Sequence, residues 1–316
     1  MQFIQAGGIG CSLGFLWSLV EHGIANQEVF ERNRKSPADP VPSPTHAGGL
    51  FGLRRDYFFE LGGYDPDWGF WGAENLEFSF RIWQCGGRLE CVPCSRVYHA
   101  FRKGGPPYIS PGHHLAMNKL RTARLWMDEY AFIAEQAMGN IHVNPGSLEN
   151  MRALRERLKC KSFDWFLKNV YPEALFTDLD DILGMGLIES QSSKGMCLAG
   201  AAFPGGVLRL TSCAQDNRQQ HLMYLKSKEL LPVANMEMCL VGTMKFDWCA
   251  RWRRDTRFTF TEDRQLRHDD TSMCLAVEDS LLKMMPCRPE LSQRWFLGRH
   301  LIPEEALAMH NMRGKE

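Results

Sequence analysis

The sequence has no excess of charge of either sign. Its 316 residues contain 37 Lys plus Arg and 37 Asp plus Glu, and the pI is near 7.1. Proteins that bind nucleic acid or acidic membranes electrostatically carry a clustered positive surface, so this balance argues against nucleic acid as a partner. The sequence also contains no Asn-x-Ser/Thr triplet, so N-glycosylation cannot indicate a secretory route.

A long uninterrupted hydrophobic run is absent as well. Residues 3–20 are largely apolar, but Gly7, Gly8, Gly10 and Gly14 interrupt them, and no Lys or Arg precedes them. A signal peptide has a basic start, and a membrane anchor has a longer apolar stretch. We therefore expect this segment to be folded, or to result from a truncation, rather than to be an anchor.

Cysteine, by contrast, is abundant. Eleven cysteines in 316 residues indicate either disulfides formed in an oxidising compartment or bound metal. Because eleven is an odd number, at least one thiol has no partner within the chain. A hydrophobic fraction of 44% over this length leaves room for two hydrophobic cores, and thus for two domains.

Before residue 172, apolar residues recur at helical spacing between loops rich in proline and glycine. The run 47–51 (AGGLF) follows a proline-rich loop and predicts entry into a buried strand. Ser162 is a candidate N-cap for the last helix of this part. Helices are predicted over residues 56–61, 75–83, 115–138, 147–158 and 162–171.

Beyond residue 183 the pattern changes to short strands and turns. A Cys-Leu dipeptide recurs at Cys197, Cys239 and Cys274, and a second cysteine follows each one 10 to 16 residues later. A threefold repeat of roughly 40 residues predicts a symmetric all-β module that is cross-linked by disulfides. The expected pairs are Cys197 with Cys213, Cys239 with Cys249, and Cys274 with Cys287.

One short motif suggests zinc. Cys91, Cys94 and His99 have the Cys-x2-Cys-x4-His spacing of a zinc knuckle. The position where a fourth ligand would stand is Gly104, which argues against zinc.

Other motifs also have a functional and a simpler interpretation. Asp-x-Asp occurs at residues 65–67 and 178–180, and such a pair can hold Mn²⁺ on a nucleotide diphosphate. Chance matches are common in a chain with this many acidic residues, so solvated loop carboxylates are the simpler account. His113 and His114 are interpreted in the same way, as an exposed loop pair.

Seven ordered blocks of the sequence resemble the polypeptide N-acetylgalactosaminyltransferases. The resemblance runs from about residue 14 to residue 298, and its last part, the Cys-Leu repeat, is similar to the ricin-type β-trefoil lectin of that family. The blocks are residues 17–19 (WSL), 47–51 (AGGLF), 56–65 (DYFFELGGYD), 71–81 (WGAENLEFSFR), 93–103 (PCSRVYHAFRK), 126–130 (WMDEY) and 169–173 (NVYPE).

The resemblance implies an α/β fold in which the C-terminal part of a GT-A type glycosyltransferase domain precedes an all-β trefoil. It implies retaining transfer of GalNAc from UDP-GalNAc to a Ser or Thr hydroxyl of a protein or glycopeptide. Mn²⁺ is the implied cofactor, because a metal and a nearby guanidinium can neutralise the diphosphate leaving group. The implied location is the Golgi lumen, and the family's N-terminal membrane anchor is not in this sequence.

Residue roles follow from the same resemblance. Glu74 and Asn75 match the positions that contact the sugars, and Trp71 matches the Trp that closes over the donor. Gly48 and Gly49 match the loop whose backbone meets GalNAc, where side chains are absent. Taken alone, Trp71 would be interpreted as a core residue and Glu74 as a charge at a helix start.

Three more roles fall between residues 97 and 111. His99 matches a Mn²⁺ ligand, Arg102 matches the diphosphate-contacting Arg at the start of a lid, and Tyr108 matches a lid Tyr with one extra residue between them. Taken alone, Arg102 would be interpreted as a surface cation.

The family also implies disulfide pairs. Cys85 is expected to pair with Cys160, and Cys94 with a cysteine in an N-terminal half that this sequence lacks. Cys11 and Cys91 lie outside the family pattern, so they could pair or remain free.

The sequence departs from the family in both halves. It contains no Asp-x-His, which the family's metal site requires, so the implied Mn²⁺ site is incomplete. In the lectin repeat, the positions of the sugar-binding Asp residues hold Ala199, Val241 and Ala276. Gln220 and the Gln293-Arg294-Trp295 segment match the residues that pack each lobe, so we expect a trefoil kept for folding with weak or lost sugar binding.

The expected organisation has four parts. Residues 1–175 are the C-terminal part of a glycosyltransferase domain, 176–183 a linker, 184–298 a ricin B-type trefoil and 299–316 a tail. The expected function is that of a polypeptide N-acetylgalactosaminyltransferase in truncated form. The alternative is a catalytically inactive family member that acts as a carbohydrate-binding, protein-binding or scaffold protein.

Overall fold

A computed structural model describes residues 12–24, 34–96, 112–139, 142–172, 178–249 and 253–297. The chain divides into two compact units, Met1–Ala131 with His142–Ala174, and Phe132–Ile141 with Leu175–Glu316. The first unit is mixed α/β, and the second is an all-β trefoil apart from a short helix. The domain limits predicted from the sequence remain predictions. Within the described ranges, no helix has the length and apolar character needed to cross a membrane.

The first unit combines two short strand pairs with helices. β1 (Leu13–Leu16) pairs with β2 (Val20–Gly23), and β3 (Val41–Pro42) pairs with β4 (Glu90–Cys91), both antiparallel. The helices in chain order are α1 (Arg55–Glu60), α2 (Glu74–Gln84), α3 (Gly112–Trp126), α4 (Ala131–Ala137), α5 (Glu149–Arg157) and α6 (Phe163–Asn169). Almost all of α4 belongs to the second unit.

Aromatic side chains fill the core of the first unit. The ring of Phe15 on β1 packs edge-on against Phe80 on α2, with 5.2 Å between the ring centroids. Phe80 makes equally close edge-on contacts with Phe163 and Phe166 on α6. Such edge-to-face pairs add stabilisation to that from area burial. The core therefore holds β1, α2 and α6 together, although about 150 residues separate the first from the last.

Most of the predicted helices are confirmed, but one is interrupted. The Oγ of Ser162 accepts a hydrogen bond from the backbone nitrogen of Trp165, which confirms Ser162 as the N-cap of α6. The single helix predicted over residues 115–138 is wrong, because α3 ends at Trp126 and α4 begins at Ala131. Between them, Asp128 has a φ of +48°, and its carboxylate accepts hydrogen bonds from Arg155 and from the backbone nitrogen of Phe163. These tertiary contacts stabilise a turn, which the hydrophobic periodicity of the sequence does not predict.

The buried strand predicted at residues 47–51 is also wrong. Leu50 and Phe51 are 68% and 43% exposed, and the segment has no strand partner. Gly48 has a φ of +79°, in the left-handed region, which bends the chain out of an extended path. The apolar residues of this run therefore lie at the surface instead of in a sheet.

The described part of the second unit contains thirteen short strands, and three of its hairpins are each closed by a disulfide. These disulfides are Cys197–Cys213, Cys239–Cys249 and Cys274–Cys287. The leucine after each first cysteine is buried in one shared core, so the threefold repeat has a structural counterpart. The strands are β5 (Ile182–Gly186), β6 (Ile188–Ser190), β7 (Met196–Gly200), β8 (Leu208–Ser212), β9 (Leu222–Leu225), β10 (Leu230–Pro232), β11 (Met238–Val241), β12 (Lys245–Trp248), β13 (Phe258–Phe260), β14 (Leu266–His268), β15 (Met273–Glu278), β16 (Leu281–Pro286) and β17 (Trp295–Leu297).

Buried glutamines follow the first and the third of these disulfide-closed hairpins. The Gln220 amide nitrogen donates to the carbonyl of Ser212 at 2.7 Å, and its oxygen accepts from the backbone nitrogen of Ala214 at 2.8 Å. Gln293 makes the equivalent pair of hydrogen bonds at the end of the third hairpin. A buried amide with both ends satisfied ties each hairpin to the chain that follows it, which is the packing role expected for these residues.

Candidate functional site

The predicted sugar-contacting residues lie in the first turn of α2. The amide nitrogen of Asn75 donates to Glu21 Oε2 at 2.6 Å and to the carbonyl of His46 at 2.9 Å. Glu74 Oε2 accepts from the backbone nitrogen of Gly72 at 2.8 Å. The structure thus brings β2, the loop after β3 and the start of α2 together at one point. We call this group of residues the α2 site.

Gly48 borders the α2 site. A side chain at this position would place its Cβ 2.9 Å from the Cβ of Asn75, and the φ of +79° is unfavourable for any other residue. Gly49 differs, because a Cβ there would meet no atom within 4 Å. The fold therefore requires a glycine at 48 but not at 49, where the space is open to a ligand.

Trp71 stands on the loop that leads into α2. Its side chain is 52% exposed, so it is not a core residue. The loop is strained: Phe70, Gly72 and Ala73 have φ values of 38°, 105° and 66°. Positive φ at residues other than glycine costs energy and persists only where surrounding contacts hold it.

Asn118 on α3 supplies those contacts. Its side chain is fully buried, its oxygen accepts from the backbone nitrogen of Gly69 at 2.9 Å, and its nitrogen donates to the carbonyls of Gly69 at 2.7 Å and Gly72 at 3.0 Å. A longer contact of 3.3 Å reaches the carbonyl of Trp71. One amide thus holds the strained loop through both its acceptor oxygen and its donor nitrogen. No local motif marked Asn118, since its partners lie 46 to 49 residues away in the sequence.

We expect Asn118→Asp to loosen this loop. The substitution removes both donor hydrogens and sets a carboxylate against two carbonyl oxygens, which should cost about 1–3 kcal/mol of stability. The ¹⁹F resonance of 5-fluorotryptophan at position 71, assigned by its loss in Trp71→Phe, should shift or broaden. Asn169→Asp, on the exposed end of α6, is the control. An unmoved Trp71 resonance in Asn118→Asp would mean that Asn118 does not hold the loop.

Two ionisable groups at the α2 site have shifted pKa values. Partial desolvation and the charge of Glu74 raise the pKa of Glu21, and the hydrogen bond from Asn75 offsets part of this shift. Burial lowers the pKa of His46, and its backbone hydrogen bonds and the charge of Glu74 offset part of that shift. His46 Nδ1 lies 3.0 Å from Ser79 Oγ, and its Nε2 is buried without a hydrogen-bond partner. The fold therefore favours neutral His46.

The shift at His46 predicts how stability depends on pH. The pKa of His46 in the folded protein lies below the ordinary 6.5, so as pH falls the unfolded chain takes up the proton first. The contribution of His46 to stability is therefore complete above pH 6.5 and is lost as pH falls through the folded pKa. The raised pKa of Glu21 has the opposite effect: its contribution to stability is complete below the ordinary 4.5 and is lost as pH rises through the folded pKa. We expect His46→Met to lose less stability than the wild type between neutral pH and pH 5, as measured by urea unfolding. His142→Met, at an exposed position, is the control. Parallel profiles for wild type and His46→Met would contradict the prediction.

Acidic residues near the loop have structural roles. The interpretation of Asp65 as a solvated loop acid is wrong, because it is buried and accepts from Arg121 Nη2 at 2.6 Å and Nε at 2.9 Å. Asp67 remains about half exposed. Glu77, one helical turn after Glu74, is buried in an ion pair with Arg81 and accepts a hydrogen bond from Trp126 Nε1 at 2.8 Å.

The histidine pair and the second Asp-x-Asp motif both lie in or next to helices. His113 and His114 lie in the first turn of α3 and not in a loop, because that helix begins at Gly112. In the second Asp-x-Asp motif, Asp178 accepts a hydrogen bond from the backbone nitrogen of Asp180 and caps a short 3-10 helix, while Asp180 is exposed.

The cysteines of the first unit argue against zinc. Cys85 and Cys160 form a disulfide, as the family resemblance implies. Cys91 is also disulfide-bonded, to a partner outside the described residues, so it is not a zinc ligand. Among the described cysteines, Cys94 is free and exposed. Its pairing with a cysteine beyond this sequence remains a prediction.

The described residues hold no group of three or more His, Cys, Asp or Glu that could bind a metal ion. The predicted metal ligand His99 lies outside the described residues, as do the predicted lid residues Arg102 and Tyr108. Their roles remain predictions.

The trefoil positions that would need Asp for sugar binding are apolar and inaccessible. Ala199, Val241 and Ala276 are 5%, 5% and 1% exposed. Next to Ala199, a Cβ at Gly200 would lie 2.1 Å from the Phe246 ring, so the hairpins pack closely there. These positions offer a ligand neither a carboxylate nor open space.

Comparisons with known proteins agree with this architecture. A family model described as the N-terminal domain of galactosyltransferase matches residues 30–103. Polypeptide N-acetylgalactosaminyltransferase 6 of Mus musculus is 33% identical over 302 residues, which cover 90% of this chain. A putative polypeptide N-acetylgalactosaminyltransferase 9 of Drosophila melanogaster is 37% identical over 309 residues, which cover 93%. The chain belongs to the polypeptide N-acetylgalactosaminyltransferase family.

A solved member of this family has a similar fold. The crystal structure of GalNAc-T7 with UDP, GalNAc and Mn²⁺ matches 91% of this chain and 55% of its own, with a TM-score of 0.67 and 25% identity. This N-acetylgalactosaminyltransferase-family chain spans about half the length of the relatives it matches, since the Mus musculus and Drosophila melanogaster proteins are covered over 48% and 45%.

Proposed function

We propose that the protein takes part in transfer of GalNAc from UDP-GalNAc to Ser or Thr hydroxyls of proteins, in the Golgi lumen. The observation that carries this proposal is the match over 91% of the chain to a transferase crystallised with UDP, GalNAc and Mn²⁺. The α2 site supports it, because the residues of the family motif are brought together there with an open backbone and an exposed aromatic side chain.

In this proposal the α2 site binds the transferred sugar. Oxygens of Glu74 and Asn75 accept hydrogen bonds from its polar groups, and the backbone at Gly49 approaches without a side chain. The exposed Trp71 covers the apolar face of the ring and excludes water from the bond that breaks. Arg102 neutralises the diphosphate, and Tyr108 belongs to the lid. Ser- or Thr-containing proteins or glycopeptides are the acceptors.

Mn²⁺ does not fit the described residues. They contain no group of three potential ligands, and the sequence lacks the Asp-x-His that would join His99. A single histidine holds a divalent ion weakly. We therefore assign no step of the transfer to a metal bound by this chain.

The test is a transfer assay with UDP-GalNAc, Mn²⁺ and peptides rich in Ser and Thr. We expect one N-acetylhexosamine to be added per modified hydroxyl, detected by mass spectrometry, and at least a tenfold lower rate for Trp71→Ala, because the substitution exposes the reacting bond to water. Phe59→Ala, at an aromatic residue on α1 that is 60% exposed, should keep the wild-type rate. Correctly folded protein without any transfer would refute the enzyme function.

A second candidate is a non-catalytic member of the family that binds carbohydrate or protein or serves as a scaffold. The absent Asp-x-His favours a non-catalytic role, and the buried, apolar Ala199, Val241 and Ala276 favour protein binding or a scaffold role over sugar binding at those trefoil positions. Equilibrium binding of UDP separates the two candidates, because a scaffold has no need of the nucleotide part of a sugar donor. Measurable affinity for UDP would count against this alternative.

A further inference from the structure

Asn75 is held in a single orientation. Its amide nitrogen donates one hydrogen to Glu21 Oε2 at 2.6 Å and the other to the carbonyl of His46 at 2.9 Å. A carbonyl and an ionised carboxylate can only accept, so the nitrogen, and not Oδ1, must face them. The amide oxygen therefore points away from both partners. Within the described residues nothing donates to it, and it is not buried.

Two carboxylates belong to the α2 site together with the Asn75 side chain. Glu74 uses Oε2 to accept from Gly72, and its Oε1 has no donor in the described part of the chain. Glu21 is an exposed residue that uses Oε2 for Asn75. The two groups are close enough for the charge of Glu74 to raise the pKa of Glu21. Within the described residues, the side chains of Glu21, Glu74 and Asn75 thus offer a ligand oxygen acceptors.

The backbone beside these oxygens leaves them accessible. A Cβ at Gly48 would lie 3.7 Å from Asn75 Cγ and 3.8 Å from Glu74 Oε1, so any side chain there would cover both groups. With glycine, a ligand can reach them. An accessible set of acceptors favours ligand groups that donate hydrogen bonds, and two negative charges disfavour an anion.

We propose that Glu21 determines the specificity of the α2 site by holding the Asn75 amide with its oxygen outward, so that the site takes neutral groups that donate hydrogen bonds and rejects anionic ones. Hydroxyls and the acetamide N–H of a neutral amino sugar are such groups. The identity of the ligand as an amino sugar rests on the proposed function. The role of Glu21 does not, because it rests on the hydrogen bond that Asn75 donates to Glu21 Oε2.

The first experiment tests the contact itself in the 316-residue chain. The two side-chain amide hydrogens of Asn75 are assigned by their loss from the ¹⁵N NMR spectrum in Asn75→Asp. In Glu21→Ala one of them loses its acceptor, and we expect its exchange with water to accelerate about tenfold or more. Glu60→Ala, which removes an exposed carboxylate on α1, should leave both hydrogens unchanged. Equal exchange in wild type and Glu21→Ala would overturn the proposal.

The second experiment tests selectivity with two probes that share one ring, N-acetylgalactosamine and N-acetylgalactosaminuronic acid. At neutral pH we expect the wild type to prefer the uncharged sugar. Glu21→Gln should reduce the ratio of the two affinities by about three- to tenfold, and Glu60→Gln should not change it.

The outcomes separate this proposal from the proposed function. Sugar binding with an unchanged affinity ratio in Glu21→Gln would overturn the role of Glu21 and leave the proposed function intact. If the wild type binds neither probe while the Asn75 contact is present, sugar binding at the α2 site is refuted, and the selectivity proposal with it.

Discussion

Replacing Arg121 by Met is expected to lower the free energy of unfolding by about 3–5 kcal/mol, because it leaves a buried carboxylate without its counter-charge. The side chains of Arg121 and Asp65 are 1% and 0% exposed. Arg121 also donates to the carbonyls of Pro145 and Ser147 at 2.6 and 2.9 Å, so the same side chain joins the turn before Trp71 to the segment before α5. Urea unfolding with the disulfides intact measures the change.

The matched control is Arg54→Met. Arg54 also pairs with an aspartate, Asp56, but these side chains are 81% and 66% exposed. Water and salt screen such a pair, so its loss should change stability little. Similar losses for Arg121→Met and Arg54→Met would show that burial of the Asp65 pair does not matter for stability.

Trp295→Ala is expected to destabilise the trefoil unit by about 3–5 kcal/mol, because it opens a large cavity in a closed core. Trp295 is fully buried on β17, packs in the shared core, and donates from Nε1 to the carbonyl of Leu275 at 3.0 Å. The substitution also leaves that buried carbonyl without its donor. Thermal unfolding of the trefoil unit, followed by circular dichroism, measures the loss.

Its neighbour on the same strand serves as the control. Phe296 is 51% exposed, and truncating it to Ala removes side-chain area that is mostly in water. We expect Phe296→Ala to cost far less than Trp295→Ala. Comparable losses would mean that β17 stabilises the trefoil through its position at a sheet edge. The buried Trp295 ring would then not be an element of the core.

The sequence predicted the trefoil better than the first unit. Repeated Cys-Leu dipeptides and the glutamines at 220 and 293 mark local, recurring features, and the hairpin disulfides close loops of only 10 to 16 residues. In the first unit, hydrophobic periodicity found the helices but missed the break at Asp128. That break depends on Arg155 and Phe163, which lie 27 and 35 residues away. Periodicity reports burial of a helix face and carries no information about such polar contacts.

The sequence likewise predicted only some of the residues of the α2 site. The family blocks identified Glu74, Asn75, Gly48 and Trp71, because those residues lie in contiguous segments. They did not identify Glu21, whose contact with Asn75 spans 54 residues. His46 and Asn118 were missed for the same reason. Asp65 was misjudged because acidic residues in loops are usually solvated, and only its contact with Arg121 shows that this one is buried.

By itself, the sequence determined the family, the order of an α/β part and a trefoil, and the residue types available for chemistry, since these depend on local motifs and repeats. Only the tertiary structure decided which polar atoms are already occupied. The Asn75 amide is committed to Glu21 and His46, and Asp65 to Arg121. The physical reason is that a hydrogen bond or a buried ion pair needs its partners within about 3 Å, and chain folding sets that proximity between residues far apart in the sequence.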